Sequence, residues 1–121
     1  MISHDLKHVV VLEPRGHLCE GAECDEMERT LVGMAEQGRR VVVDLSGTDQ
    51  LTARGLGILA HAHKIALGSG GRIVLCGANR VERWLLTRTR LAEALVLYES
   101  RASAVSDLAR TLHEPAPANA I

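Results

Sequence analysis

The chain has 121 residues, 46% of them hydrophobic and 24% charged, which is one ordinary globular domain with no room for a second. One Trp, one Tyr and no Phe make an aliphatic core and nearly exclude the aromatic stacking platforms that bind single-stranded nucleic acid. Fourteen Lys and Arg against fifteen Asp and Glu leave a net charge of −1, without the basic excess of a general DNA binder.

No apolar run reaches the roughly 18 residues of a membrane span. The start Met1-Ile-Ser-His-Asp-Leu-Lys7 lacks the long apolar stretch of a signal peptide. Neither direct membrane insertion nor a nucleic-acid partner is expected. Three cysteines, Cys19, Cys24 and Cys76, are an odd set at non-motif spacing. They read as reduced thiols in a cytoplasmic protein, two of them as small core residues.

In chain order, Ile2–Leu6 is a short candidate strand that pairs with the strand His8–Leu12, which Pro14 and Gly16 close. Glu23–Glu36 is an amphipathic helix, because Cys24, Met27, Leu31 and Met34 share a face. Acids at Glu20, Glu23, Asp25, Glu26 and Glu28 crowd its start, where the helix dipole favours them. The β-branched run Arg40–Leu45 reads as a strand buried on both faces. Gly55–Leu67 is a helix, stopped by Gly68-Ser-Gly-Gly71. Arg72–Cys76 is a second buried strand. A third helix begins near a cap at Asn79, with Val81, Trp84, Leu85 and Arg88 on one face. Ala94–Tyr98 is a last strand. Ser100–Leu112 is a last helix, with Ala104, Leu108 and Leu112 on one face. The two prolines of residues 114–121 predict a flexible tail after a domain over residues 1–113. This β(β)αβαβαβα order predicts an α/β fold: a mixed, mostly parallel sheet of four to five strands flanked by four helices.

Enzyme signatures are weak. Gly68-Ser-Gly-Gly71 lies after a helix and before a strand, the reverse of a phosphate-cradling loop. His61 and His63 are two apart on a helix and do not share a face. His4 and His8 fall in extended chain, with no Cys or carboxylate at metal spacing. Ser46, Asp44 and a histidine make a triad only on paper, because the Gly-x-Ser-x-Gly elbow is missing; Asp44 reads better as the cap of the following turn. No cofactor or metal is expected. Arg80, Arg83, Arg88 and Arg90 form a basic cluster that reads either as a solvated helix face or as a patch for an acidic partner.

The informative segment is Asp44-Leu-Ser-Gly-Thr-Asp-Gln-Leu-Thr-Ala-Arg-Gly-Leu-Gly-Ile-Leu59. A strand end runs through a polar loop straight into a helix N-terminus. Gly55 and Gly57 are poor helix formers in its first turns, so close approach of a neighbouring strand or of a partner is implied there. A plain strand-to-helix loop, with glycine chosen for packing, fits the residues equally.

This segment resembles the STAS domain of bacterial anti-sigma factor antagonists. That family carries Asp-Leu-Ser-Gly at a strand end, then Asp-Ser-Ser/Thr-Gly-Leu-Gly at a helix start. Asp44-Leu-Ser-Gly47 and Gly55-Leu-Gly57 match in residue and spacing, and the similarity runs over roughly residues 8 to 112. The resemblance implies a non-catalytic module that captures an anti-sigma factor, a kinase-like ATPase, and so frees a sigma factor. It also implies a switch, phosphorylation of a serine at the helix start by that ATPase. Here the acceptor position is Ala53, which has no hydroxyl; the following serine is Arg54 and the preceding aspartate is Thr52. Binding without the usual switch, another control route, and Thr52 as a displaced acceptor all remain open.

The expected partner surface is Ser46, Gly47, Thr48, Asp49, Leu51, Thr52, Ala53, Arg54, Gly55 and Leu56, with the loop near Gly16–Gly21. Leu51 and Leu56 are expected to bury roughly 1.5–3 kcal/mol each of apolar area against the partner, and Arg54 to meet a partner carboxylate. An alternative is a STAS subunit that braces the ATPase of a lipid-transport ABC complex, or a part of a stress-signalling assembly. A nucleotide-binding protein or enzyme is the third class and lacks a supporting site. Self-association as a homodimer, through an edge strand or a helix face, is common for modules of this size.

Overall fold

The computed structural model describes residues 2–6, 9–14, 16–18, 21–89 and 95–113. The expected tail, Cys19, Arg90 and the Ala94 end of the expected last strand lie outside them. The elements are β1 (Ile2–Leu6), β2 (Val9–Glu13), β3 (Gly16–Leu18), α1 (Gly21–Glu36), β4 (Arg40–Asp44), a 3-10 turn (Leu45–Gly47), β5 (Thr48–Leu51), α2 (Ala53–Gly68), β6 (Arg72–Cys76), α3 (Arg80–Arg88), β7 (Leu97–Tyr98) and α4 (Arg101–His113).

The main sheet has the order β1-β2-β4-β6-β7. β1 pairs antiparallel with β2, and every later pairing is parallel. The mixed, mostly parallel sheet is therefore as expected, with β1 as its antiparallel edge. β4 and β6 are buried along nearly their whole length, as parallel strands covered on both faces must be.

Alternate residues point to opposite sides. Val10, Leu12, Val41, Val43, Ile73 and Leu75 join the large core formed with α1 and α2. Val9, Val11, Val42, Val74 and Cys76 meet Ala104, Val105, Leu108 and Ala109 of α4 on the other side. Cys24 and Cys76 are buried free thiols, in keeping with their reading as core residues.

Three details differ from the expectation. In α1 the fourth buried position is Ala35 rather than the partly buried Met34. At 100° per residue Ala35 lies only about 20° from Cys24, whereas Met34 lies about 80° away. β3 and β5 form a separate two-stranded parallel sheet where loops were expected. Both are short and neither shows a hydrophobic alternation. In α3 the buried residues are Glu82 and Leu86, while Val81 and Trp84 are 64% and 58% exposed. The apolar face is there, but it faces outward.

The reason lies in Glu82. It is 1% exposed. One carboxylate oxygen accepts from the Asn79 amide at 2.9 Å, while Asn79 Oδ1 accepts from the Glu82 amide at 2.8 Å. This reciprocal capping box fixes the helix start. The other oxygen meets the buried Thr48 hydroxyl. A buried carboxylate must keep its partners, so the capping demand sets which way α3 faces.

Candidate functional site

The site forms where the C-terminal ends of β4 and β6 meet the N-terminus of α2. Asp44, last in β4 and 5% exposed, organises it. Its Oδ1 accepts from the Ser46 amide at 3.0 Å and the Ser46 hydroxyl at 2.6 Å. Its Oδ2 accepts from Arg101 Nε at 2.9 Å and Nη2 at 2.8 Å. Asp44 thus caps the 3-10 turn, as expected, and pins it to the first residue of α4. Arg101 also meets Glu13 at the end of β2.

Gly77, just after β6, has φ +70°, and a Cβ there would lie 2.7 Å from Asp44 Oδ1 and 3.0 Å from the Ser46 amide. The turn can sit this close only because that side chain is missing.

Among the described side chains, these contacts leave the paper triad unmade. The Ser46 hydroxyl donates to a carboxylate whose other oxygen is held by an arginine. His63 lies beside Arg72 and Ile73 at the opposite end of β6. Gly77 lies four residue steps along the strand from Ile73, roughly 13 Å. Burial pushes the Cys76 thiol up to about 12, with the charge of Asp44 and a hydrogen bond to it adding to the effect. A thiol so held is not a nucleophile at neutral pH. Among the described residues, no three His, Cys, Asp or Glu side chains come together as metal ligands.

The expected surface residues divide in two. Thr48 is buried, its hydroxyl 2.7 Å from the Leu45 carbonyl. Leu51 and Leu56 are 3% and 7% exposed and belong to the chain's own core. The apolar area assigned to a partner is therefore already enclosed by this fold. Gly55 is also buried, and its amide donates to Thr52 Oγ1 at 3.2 Å, so Thr52 is the N-cap of α2. The side chain of Asp49 is outside the described set.

Exposed at the site are Ser46, Ala53, Arg54 and Gly57, with Gly47 and Thr52 half-buried. Arg54 does not extend freely. Its guanidinium pairs with Asp25 of α1 at 2.5 Å, and that hydrogen bond raises its already high pKa. Both partners are about half exposed, 49% and 53%, so the pair contributes little to the fold and can be exchanged for a partner's carboxylate. A Cβ at Gly57 would meet nothing within 4 Å. This glycine is not demanded by a neighbouring strand, and it leaves the α2 backbone open to approach from outside. Of the readings the sequence left open at Gly57, approach by a neighbouring strand is removed, while approach by a partner and a plain loop glycine both remain.

The geometry defines a small α/β domain with a capped helix start, at which Ser46, Ala53, Arg54 and Gly57 are exposed. The family model described as Mlab, STAS domain matches residues 6–98. The chain belongs to the STAS-domain family.

Solved structures share the fold. An anti-sigma factor antagonist from Mycobacterium paratuberculosis is 21% identical with a TM-score of 0.77, over 88% of this chain and 91% of that one. A STAS-domain anti-sigma-factor antagonist protein from Planctomyces limnophilus is 19% identical with a TM-score of 0.76, over 89% and 97%. The STAS domain of a SulP transporter from Vibrio cholerae is 16% identical with a TM-score of 0.69, over 88% and 85%. No curated protein sequence matches the chain.

Proposed function

We propose that the chain is a non-catalytic anti-sigma factor antagonist. It captures an anti-sigma factor of the kinase-like ATPase type through the start of α2, and so frees a sigma factor. The observation that carries this reading is the exposed, small-residue surface of Ser46, Ala53 and Gly57 on a capped helix start in a STAS fold. Because Ala53 has no hydroxyl, capture proceeds without phosphorylation at that position. The Thr52 hydroxyl already accepts the Gly55 amide, which supports a capping role rather than that of a displaced acceptor.

A second reading keeps the fold and the surface but changes the partner: a STAS subunit bracing the ATPase of a lipid-transport complex. What supports it is that the matching family model is described as Mlab, STAS domain, and that a solved structure with this fold is the STAS domain of a SulP transporter, so the fold also occurs in transport proteins.

Affinity capture from the native lysate with mass spectrometry separates the two. Recovery of a kinase-like ATPase that regulates a sigma factor is expected. Recovery of transporter subunits without a sigma regulator moves the chain to the second reading.

A further inference from the structure

The outer face of α3 has no part in the site above or in either core. Taking Arg80 as origin at 100° per residue, Arg83, Thr87, Arg80, Trp84, Arg88 and Val81 follow one another around about 160° of the helix. All six are exposed. Trp84 lies near the middle of this stripe, with arginines on either side. It is the chain's single Trp, a residue type that folded proteins usually keep mostly buried. Its ring is covered by the Arg88 guanidinium at 5.3 Å from the centroid. Arg83 is held at the helix flank by donation from Nε to the Ala78 carbonyl at 3.1 Å. Arg83 and Thr87 also line an open groove of about 310 Å³ against Leu97, Tyr98 and Glu99 at the β7 edge of the sheet.

We infer that this face is a second docking surface, for an acidic segment of a partner protein that carries an apolar anchor. Trp and Arg are the residue types that most often dominate binding energy at interfaces, and three arginines around an apolar centre are complementary to acids around an apolar side chain. A second copy of this chain about a two-fold axis is disfavoured, because it would set one arginine-lined face, with Arg80, Arg83 and Arg88, against another. A bilayer is disfavoured as well. Interfacial helices bury a broad apolar face, and α3 offers only Val81 and Trp84 in nine residues of a chain whose net charge is −1.

The lone Trp makes the test local, since its fluorescence reports this face and no other. The full-length protein is titrated with a synthetic peptide of Glu and Asp around two leucines, and with the same peptide carrying Lys in place of the acids. The acidic peptide is expected to move the emission to shorter wavelength and saturate, the basic one to leave it unchanged. The double variant Arg80→Glu, Arg88→Glu should weaken binding about tenfold or more. The milder pair Arg80→Gln, Arg88→Gln should also weaken it, which guards against a folding defect in the first. Ala53→Glu should leave this titration unchanged, so failure here and failure of the α2 reading remain distinct. No shift with the acidic peptide, equal shifts with both peptides, or insensitivity to both double variants overturns the inference. A shift with phosphatidylglycerol vesicles alone assigns the face to a membrane and overturns it too.

Discussion

Asp44 and Arg101, 57 positions apart in the chain, are joined by two hydrogen bonds to one carboxylate oxygen. The pair ties the end of the central strand β4 to the start of α4, and the same carboxylate holds the Ser46 turn from its other oxygen. Asp44 is almost wholly enclosed, its side chain 6% exposed, while Arg101 is a third exposed. Losing the cation leaves a buried carboxylate without its counterion. Arg101→Ala should therefore destabilise the fold by about 2–3 kcal/mol, somewhat less than for a fully buried pair. Arg101→Lys should recover only part of this, since an ammonium cannot reproduce the two-pronged contact. Urea unfolding measures both.

Gly57 separates fold from function. Its missing side chain faces open space in α2. Gly57→Ala should raise stability by about 0.5–1 kcal/mol, because alanine is the better helix former. The same methyl group stands on the surface assigned to the partner, so affinity should fall while the urea midpoint rises. A stabilised variant with full affinity would remove Gly57 from the contact.

His63 gives the fold an acid dependence. It is 8% exposed, with Nδ1 lacking a hydrogen-bond partner among the described residues. Burial, then the nearby charge of Arg72, holds its imidazole below the ordinary value of 6.5, while a hydrogen bond with the Ile73 backbone acts the other way. The unfolded chain then binds the proton more readily than the folded one. Its contribution to stability is complete above about pH 6.5 and declines as pH falls below that value towards the lower folded one. His63→Leu should flatten this part of the stability-versus-pH curve in urea titrations. An unchanged slope would assign the effect to other groups.

The parallel core was legible because Val41–Val43 and Ile73–Cys76 are apolar without interruption, a pattern that few other environments use. The Asn79 cap was legible for a similar local reason. What escaped depends on contacts distant in sequence. Hydrophobicity marks Leu51 and Leu56 as residues to be buried but does not say by what, and the chain's own core claims both. The spacing of Val81 and Trp84 defines a helix face but not its direction, which the tie between Glu82 and Thr48, 34 positions apart, decides. β3 and β5 were missed because strands of three and four residues, partly polar, carry no period to read. At the helix start, the family resemblance pointed to Ser46, Ala53 and Arg54, which are exposed, and equally to Thr48, Leu51, Gly55 and Leu56, which are buried. The engagement of Arg54 by Asp25 required the structure, because it joins two helices.

The most direct measurement compares wild type with Ala53→Glu by calorimetric titration against the captured anti-sigma ATPase, with urea unfolding in parallel. Position 53 is the first residue of α2 and is exposed. A carboxylate there favours the helix N-terminus by about 0.3–1 kcal/mol, so the variant should be at least as stable as wild type. At the same time it places charge and bulk at the centre of the proposed contact. Strongly weakened binding with an undiminished urea midpoint is expected. Unchanged affinity in a folded variant would contradict that contact, by taking the start of α2 out of the interface.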